Sequence, residues 1–255
     1  MRFLSSYHTD IGTRKKSNQD SLLLQQADTV FGPVLLAVVC DGLGGLEKGE
    51  VASATVVRAF SDWFQYFYPS LLKKGNIASE LRDSWSQLTS TLNTSIADYG
   101  RRNGLGLGTT LEALLLAQGR YYIFHIGDCR VYKKERELLQ LTKDQTFVQQ
   151  QIDLGAMTRE QAMQDPRKNT LLQCIGASQY IQPDFLEGSL APGQDFLLCS
   201  DGFRHMVTPE EIAGALTPSS EYDERLMTEQ LVRLTELDKL RGENDNITSI
   251  WVHVA

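Results

Sequence analysis

Cysteine is scarce and nowhere paired. The four residues, Cys40, Cys129, Cys174 and Cys199, form no Cys-x-x-Cys, which excludes a zinc knuckle and a disulfide framework. Cys40 and Cys199 end apolar runs and read as small core residues. Cys199 and Arg204 stand one residue short of a Cys-x5-Arg thiol-phosphatase loop, so a cysteine nucleophile is set aside. No apolar run approaches the roughly 18 residues of a membrane span. Met1-Arg2-Phe3-Leu4 carries no apolar signal core, so the expectation is a cytoplasmic chain with no membrane contact. There is no Lys/Arg block, and 25 basic against 32 acidic residues leave a net charge of -7, which argues against nucleic-acid binding. The glycine run Gly104-Leu105-Gly106-Leu107-Gly108 lacks a following Gly-Lys-Ser/Thr and is no nucleotide P-loop. No linker interrupts the chain. Residues 1–255 therefore read as one domain of ordinary soluble composition, long enough to bury a two-layer or larger core.

What is present is an apolar strand that ends on Asp-Gly, twice. Val34 to Cys40 runs into Asp41-Gly42-Leu43-Gly44-Gly45, and Phe196 to Cys199 runs into Ser200-Asp201-Gly202. One Asp-Gly is an ordinary turn. Asp20, Asp41, Asp128, Asp201 and Asp245, however, all sit at strand ends beside Gly or Asn. Strand ends of paired sheets can converge on one edge, and clustered carboxylates neutralise unless cations hold them apart. Oxygen-only ligation, with no His or Cys at these positions, favours Mg²⁺ or Mn²⁺ over Zn²⁺. Two such ions ~3.5–4 Å apart could bridge a water, lower its pKa and aim it at phosphorus.

Periodicity predicts strands over 3–10, 20–26, 33–40, 109–117, 121–126, 131–134, 138–141, 187–190, 194–199 and 247–254. Helices are predicted over 48–67, 77–99, 145–154, 209–216 and 222–240. The apolar stripes are Ala52, Val56, Phe60, Trp63, Phe67 and then Leu81, Trp85, Leu88, Leu92, Tyr99. Residues 142–180, polar and glutamine-rich, read as an insertion over one sheet edge. Strands grouped at both ends with helix pairs between them predict an α+β fold: two packed sheets with helices outside.

The sequence resembles the metal-dependent Ser/Thr protein phosphatases of type 2C, in their compact bacterial form. Seven motifs occur in family order: Asn18-Gln19-Asp20, Asp41-Gly42-Leu43-Gly44-Gly45, Gly108-Thr109-Thr110, Gly127-Asp128-Cys129-Arg130, Leu141-Thr142-Lys143-Asp144, Cys199-Ser200-Asp201-Gly202 and Asp245-Asn246-Ile247-Thr248. The resemblance implies a four-layer α-β-β-α sandwich of mainly antiparallel sheets, with a binuclear Mn²⁺ or Mg²⁺ centre at one edge. Asp41 would bridge both ions. The Gly42 carbonyl would bind the second ion, Asp201 and Asp245 the first, and Asp20 would hold metal-bound waters. A third, weaker ion would sit on Asp128 and Asp201. The nucleophile would be a metal-bridging water, and residues 142–180 the flap beside the substrate groove. Substrates would be phosphoserine and phosphothreonine proteins, targets of a bacterial Ser/Thr kinase, and the enzyme a monomer.

Several residues depart from the family pattern. Lys15, with Arg14 beside it, stands where an arginine grips the phosphate, and lysine lacks the bidentate fork. Gln19 stands where Glu is common, which weakens the second metal site. Leu43 replaces a His that serves some relatives as general acid. His205 is a candidate proton donor but reads better as a surface or helix-end residue, and His125 as structural. These departures motivate an alternative, a catalytically weak relative that binds phosphoproteins as a regulatory module. A third reading is a metal-dependent hydrolase of small phosphate esters.

Overall fold

The computed structural model describes residues 1–43, 48–72, 77–216 and 223–255. Among the described residues, ten strands form two five-stranded antiparallel sheets. The first, in the order β1 (Phe3–Asp10), β10 (Ile247–Val254), β9 (Asp195–Cys199), β6 (Arg130–Lys134) and β7 (Leu138–Gln140), joins the two ends of the chain. The second runs β2 (Ser21–Thr29), β3 (Gly32–Cys40), β4 (Leu111–Ala117), β5 (Arg120–Ile126), β8 (Asp184–Ser189).

Alternation along β3 builds two cores at once, because successive side chains of a strand point to opposite faces. Leu35, Ala37 and Val39 pack between the sheets with Leu114, Phe196, Ile250 and Val252. Leu36, Val38 and Cys40 face α1 (Gly49–Asp62) and α3 (Ile77–Asn103). On the far side, α6 (Pro209–Ala215) and α7 (Glu224–Leu240) cover the first sheet through Ile212, Met227, Leu231 and Leu234. The order is helix, sheet, sheet, helix, as expected.

The helix stripes differ from the expectation at their ends. Trp63–Phe67 forms a π-turn that leads into α2 (Tyr68–Leu71), and its wider turn leaves Phe67 exposed while Trp63 stays buried. In α3 the stripe continues to Ile96, and Tyr99 lies outside it, 47% exposed. In the insertion, α4 (Phe147–Asp153) was expected, but α5 (Arg159–Gln164) was not. Strand β8 begins at Asp184, three residues ahead of its expected start. Gly44, Gly45 and the expected helix start at Tyr222 lie outside the described residues.

Candidate metal centre

Each acid is mounted by backbone contacts specific to its neighbours. Asp41 follows β3 and is clamped by the next strand: its amide donates to Thr110 Oγ1 at 2.9 Å, and its carbonyl accepts from Thr110 N and Thr109 Oγ1, both at 2.9 Å. Gly42 N donates to the Gln19 carbonyl, which ties the Asp20 loop to the Asp41 turn. A Cβ at Gly42 would stand 2.5 Å from that same carbonyl, so only glycine allows the approach. Gly202, after Asp201, backs equally closely onto the Asn246 carbonyl.

Asn246 fixes the Lys15 loop. Its amide group donates to the carbonyls of Ile11 and Ser17 and accepts from Gln19 N. Lys15 Nζ thereby lies 2.7 Å from Asp245 Oδ1. Burial works against its charge, but Asp245, then Asp41 and Asp201, hold the ammonium protonated above its ordinary range. Arg14 is exposed.

The acids feel one another. Burial, then the charges of Asp20, Asp201, Asp128 and Asp245, pushes the Asp41 carboxyl well above the usual carboxylate range. Burial pushes Asp20 to about 7, with Asp201 and Asp245 adding to it. Both Asp20 oxygens and Asp201 Oδ1 are buried without a hydrogen-bond partner. The nearby hydroxyls of Ser200 and Thr248, which also meet the Thr248 amide and Thr9 Oγ1, pull the Asp20 value back down against these effects. Asp128 also rises to about 7, through burial and then Asp201.

Among the described residues no three acidic, imidazole or thiol side chains are already closed around a point as a finished metal cage. The acids instead ring an edge, with orphaned oxygens and mutual repulsion that divalent cations would relieve, and the donor set fits hard cations. This repulsion has a sign that melting can read. Asp20 and Asp128 have folded-state values raised above the ordinary carboxylate range. Their stabilising contribution is therefore present at low pH and lost as pH rises through about 7. Metal-free protein should melt lower at pH 8 than at pH 6, by roughly 5 °C or more, and Mn²⁺ should raise the melting temperature more at pH 8. A metal-free melting temperature that climbs from pH 6 to 8 would contradict the crowding of these acids.

Asp128, the acid expected to hold a third ion with Asp201, has guanidinium groups for neighbours. Arg204 Nη2 lies 3.8 Å from Asp128 Oδ2 and 3.0 Å from the Asp128 carbonyl. Asp144 grips Arg130 through two 2.7 Å bonds and reaches Arg204 at 3.4 Å. Fixed guanidinium charge therefore already faces Asp128. The same network borders a cleft of about 550 Å³ between the Asp128 turn and α4–α5, with Arg159 and Lys168 on its outer wall. His125 is buried between Glu112 Oε2 at 2.7 Å and the Lys143 carbonyl at 2.9 Å, a structural position.

His205 was expected at the surface. Its side chain is only a quarter exposed and spans Asp201 and Glu243. Glu243 carried no signal in the sequence, and Asn246 and Thr110 carried one only as members of motifs. All four cysteines are buried, and burial pushes the Cys199 thiol to about 12, which leaves no thiolate to act as nucleophile.

A family model described as Protein phosphatase 2C matches residues 12–236. The Serine/threonine phosphatase stp of Listeria monocytogenes serotype 4b is 32% identical over 254 residues, covering 97% of this chain and 94% of that protein. The structure of the S. agalactiae serine/threonine phosphatase superposes with a TM-score of 0.84 at 30% identity, covering all of both chains. The catalytic domain of serine threonine protein phosphatase PstP, in complex with two manganese ions, superposes at 0.79 with 30% identity and 99% coverage of each chain.

Proposed function

The chain belongs to the protein phosphatase 2C family, and from that membership we propose that it is a Mn²⁺- or Mg²⁺-dependent phosphatase of phosphoserine and phosphothreonine in proteins. The observation that carries this reading is the cluster of acids at one edge of the paired sheets, with three buried and unpartnered carboxylate oxygens on Asp20 and Asp201. Asp41, the Gly42 carbonyl, Asp201 and Asp245 are the donors proposed for two ions. When bound, the ions neutralise these acids and the substrate phosphate and supply a water acidic enough to attack phosphorus.

The chain's own residues position the rest. Thr109 and Thr110 hold Asp41 by its backbone, so its carboxylate is aimed without further ordering. Asp20, anchored through Asn18, orders water beside the ions. Lys15, held charged at the rim, receives the phosphate. The segment 142–180 forms the flap beside the groove within one domain, residues 1–255. The proposed setting is a cytoplasmic monomer that reverses a Ser/Thr kinase.

Lys15→Ala should raise KM for a phosphothreonine peptide by about tenfold with a smaller change in kcat, while Arg14→Ala stays within about twofold. The opposite pattern would transfer the phosphate contact to Arg14. The reading itself is tested by hydrolysis of a phosphothreonine peptide with Mn²⁺, with Mg²⁺ and after chelation. Turnover confined to the metal-loaded protein supports it. Turnover that survives chelation overturns it, and tight phosphopeptide binding without turnover favours a regulatory binding module.

A further inference from the structure

The cleft of about 550 Å³ beside the metal edge has two unlike walls. On the inner wall the guanidinium groups of Arg130 and Arg204 face the carboxylates of Asp144 and Asp128, and these charges cancel. His205, at the same end, is tied to Glu243. The outer wall comes from α4, α5 and the turn after α5. There Val148 and Ala162 supply buried apolar surface, while Arg159 and Lys168 stand exposed. Neither cation makes an ion pair among the described residues, and the acids nearest to them in sequence are engaged: Asp153 with Lys143 at 2.7 Å, Asp165 with Arg167 at 2.8 Å, and Glu160 with Thr158. The outer wall is therefore positive without a counter-charge of its own.

We propose that this cleft takes acidic residues that flank the phosphorylated residue of a substrate protein, with Arg159 and Lys168 as the residues that select them. This rests on the phosphatase reading above and adds to it the class of phosphoprotein. The cleft opens on the metal edge, because Asp128, whose charge bears on Asp41 and Asp201, also lines it. A chain whose phosphate sits at that edge reaches the cleft within a few residues, each extended residue advancing about 3.3 Å. Arg159 offers a carboxylate its planar fork and Lys168 a point charge. Buried Val148 and Ala162 let the stem of a glutamate pack below its charged end. The direction of the preference is informative, because a chain of net charge -7 attracts basic substrates through its overall field. A preference for acidic flanks must come from a local wall.

The test compares three phosphothreonine peptides on the full chain with Mn²⁺: one with neutral flanks, one with glutamates on the N-terminal side and one with glutamates on the C-terminal side. Acids on one side only should lower KM by about fivefold or more relative to the neutral peptide, with little change in kcat, and the gain should shrink in about 0.5 M salt. The ratio of KM between neutral and acidic peptides, read within one preparation, should fall towards one when Arg159→Glu is combined with Lys168→Glu. The milder pair Arg159→Gln with Lys168→Gln serves if charge reversal disturbs folding. Equal KM for all three peptides, equal gain from either side, or a gain that persists in the variants overturns the assignment. Turnover of the neutral peptide would still leave the phosphatase reading standing. If no peptide is turned over, that reading and this inference fall together.

Discussion

Asp41→Asn should lower turnover of a phosphothreonine peptide by on the order of a thousandfold or more, with the fold intact. The size follows from its place. Asp41 feels Asp20, Asp201, Asp128 and Asp245 together, so its carboxylate is the one the whole set shares. Asparagine keeps the shape and the backbone clamp from Thr109 and Thr110 but removes the charge offered to the ions. The same substitution relieves repulsion in the metal-free protein. Metal-free Asp41→Asn should therefore melt at or above the wild type, and should gain less from Mn²⁺. A variant that turned over within about tenfold of wild type in Mn²⁺ would deny Asp41 its bridging position.

The largest effect on stability is expected at Asp144. Its carboxylate takes both arms of the Arg130 fork and faces Arg204, and all three side chains are mostly covered. Burial pulls the Asp144 carboxyl upward, but Arg130 and Arg204 hold it below the ordinary range. Asp144→Ala takes the carboxylate from the Arg130 fork and leaves Arg204 its contacts with Asp128, a change in a covered site that costs about 3–5 kcal/mol. For a chain of this length that corresponds to a fall of roughly 10 °C in melting temperature. Arg204 Nε already lacks a partner, so no spare acceptor stands ready to compensate. Asp144→Asn, which can still accept from one arm, should lose less. Near wild-type melting of Asp144→Ala, measured by calorimetry in Mn²⁺, would mean the network contributes little.

The strand ends were readable because buried strands leave a plain signature, an apolar run cut off by Asp-Gly. β3 and β9 both match that pattern, and Asp41 and Asp201 follow directly from it. That five such ends share one edge was inferable only from the number of repetitions and from the family resemblance. Pairing of β1 with β10, and of β9 with β10, brings the ends that carry Asp201 and Asp245 together, and the Gln19 N–Asn246 Oδ1 bond adds Asp20 across more than 200 residues of sequence. Such long-range pairing leaves little trace in local pattern.

The errors have local causes. The π-turn at Trp63–Phe67 broke a helical period that the sequence continues without interruption, and Phe67 turned outward. Helix α5 did carry a signal, the Thr158-x-x-Gln161 capping box, which the polar composition of the insertion obscured. Glu243 had none, and His205 only its place four residues after Asp201. Each is an unremarkable polar residue until the turn after α7 sets Glu243 against the short helical turn that follows β9.

The central claim is that these acids hold two divalent ions between them. Diffraction from Mn²⁺-soaked crystals at the manganese absorption edge tests it most directly. Two anomalous peaks flanking Asp41, one within ligand distance of Asp201 and Asp245, are the expected result. Mn²⁺ scattered over surface carboxylates, with no peak touching Asp41, would contradict it.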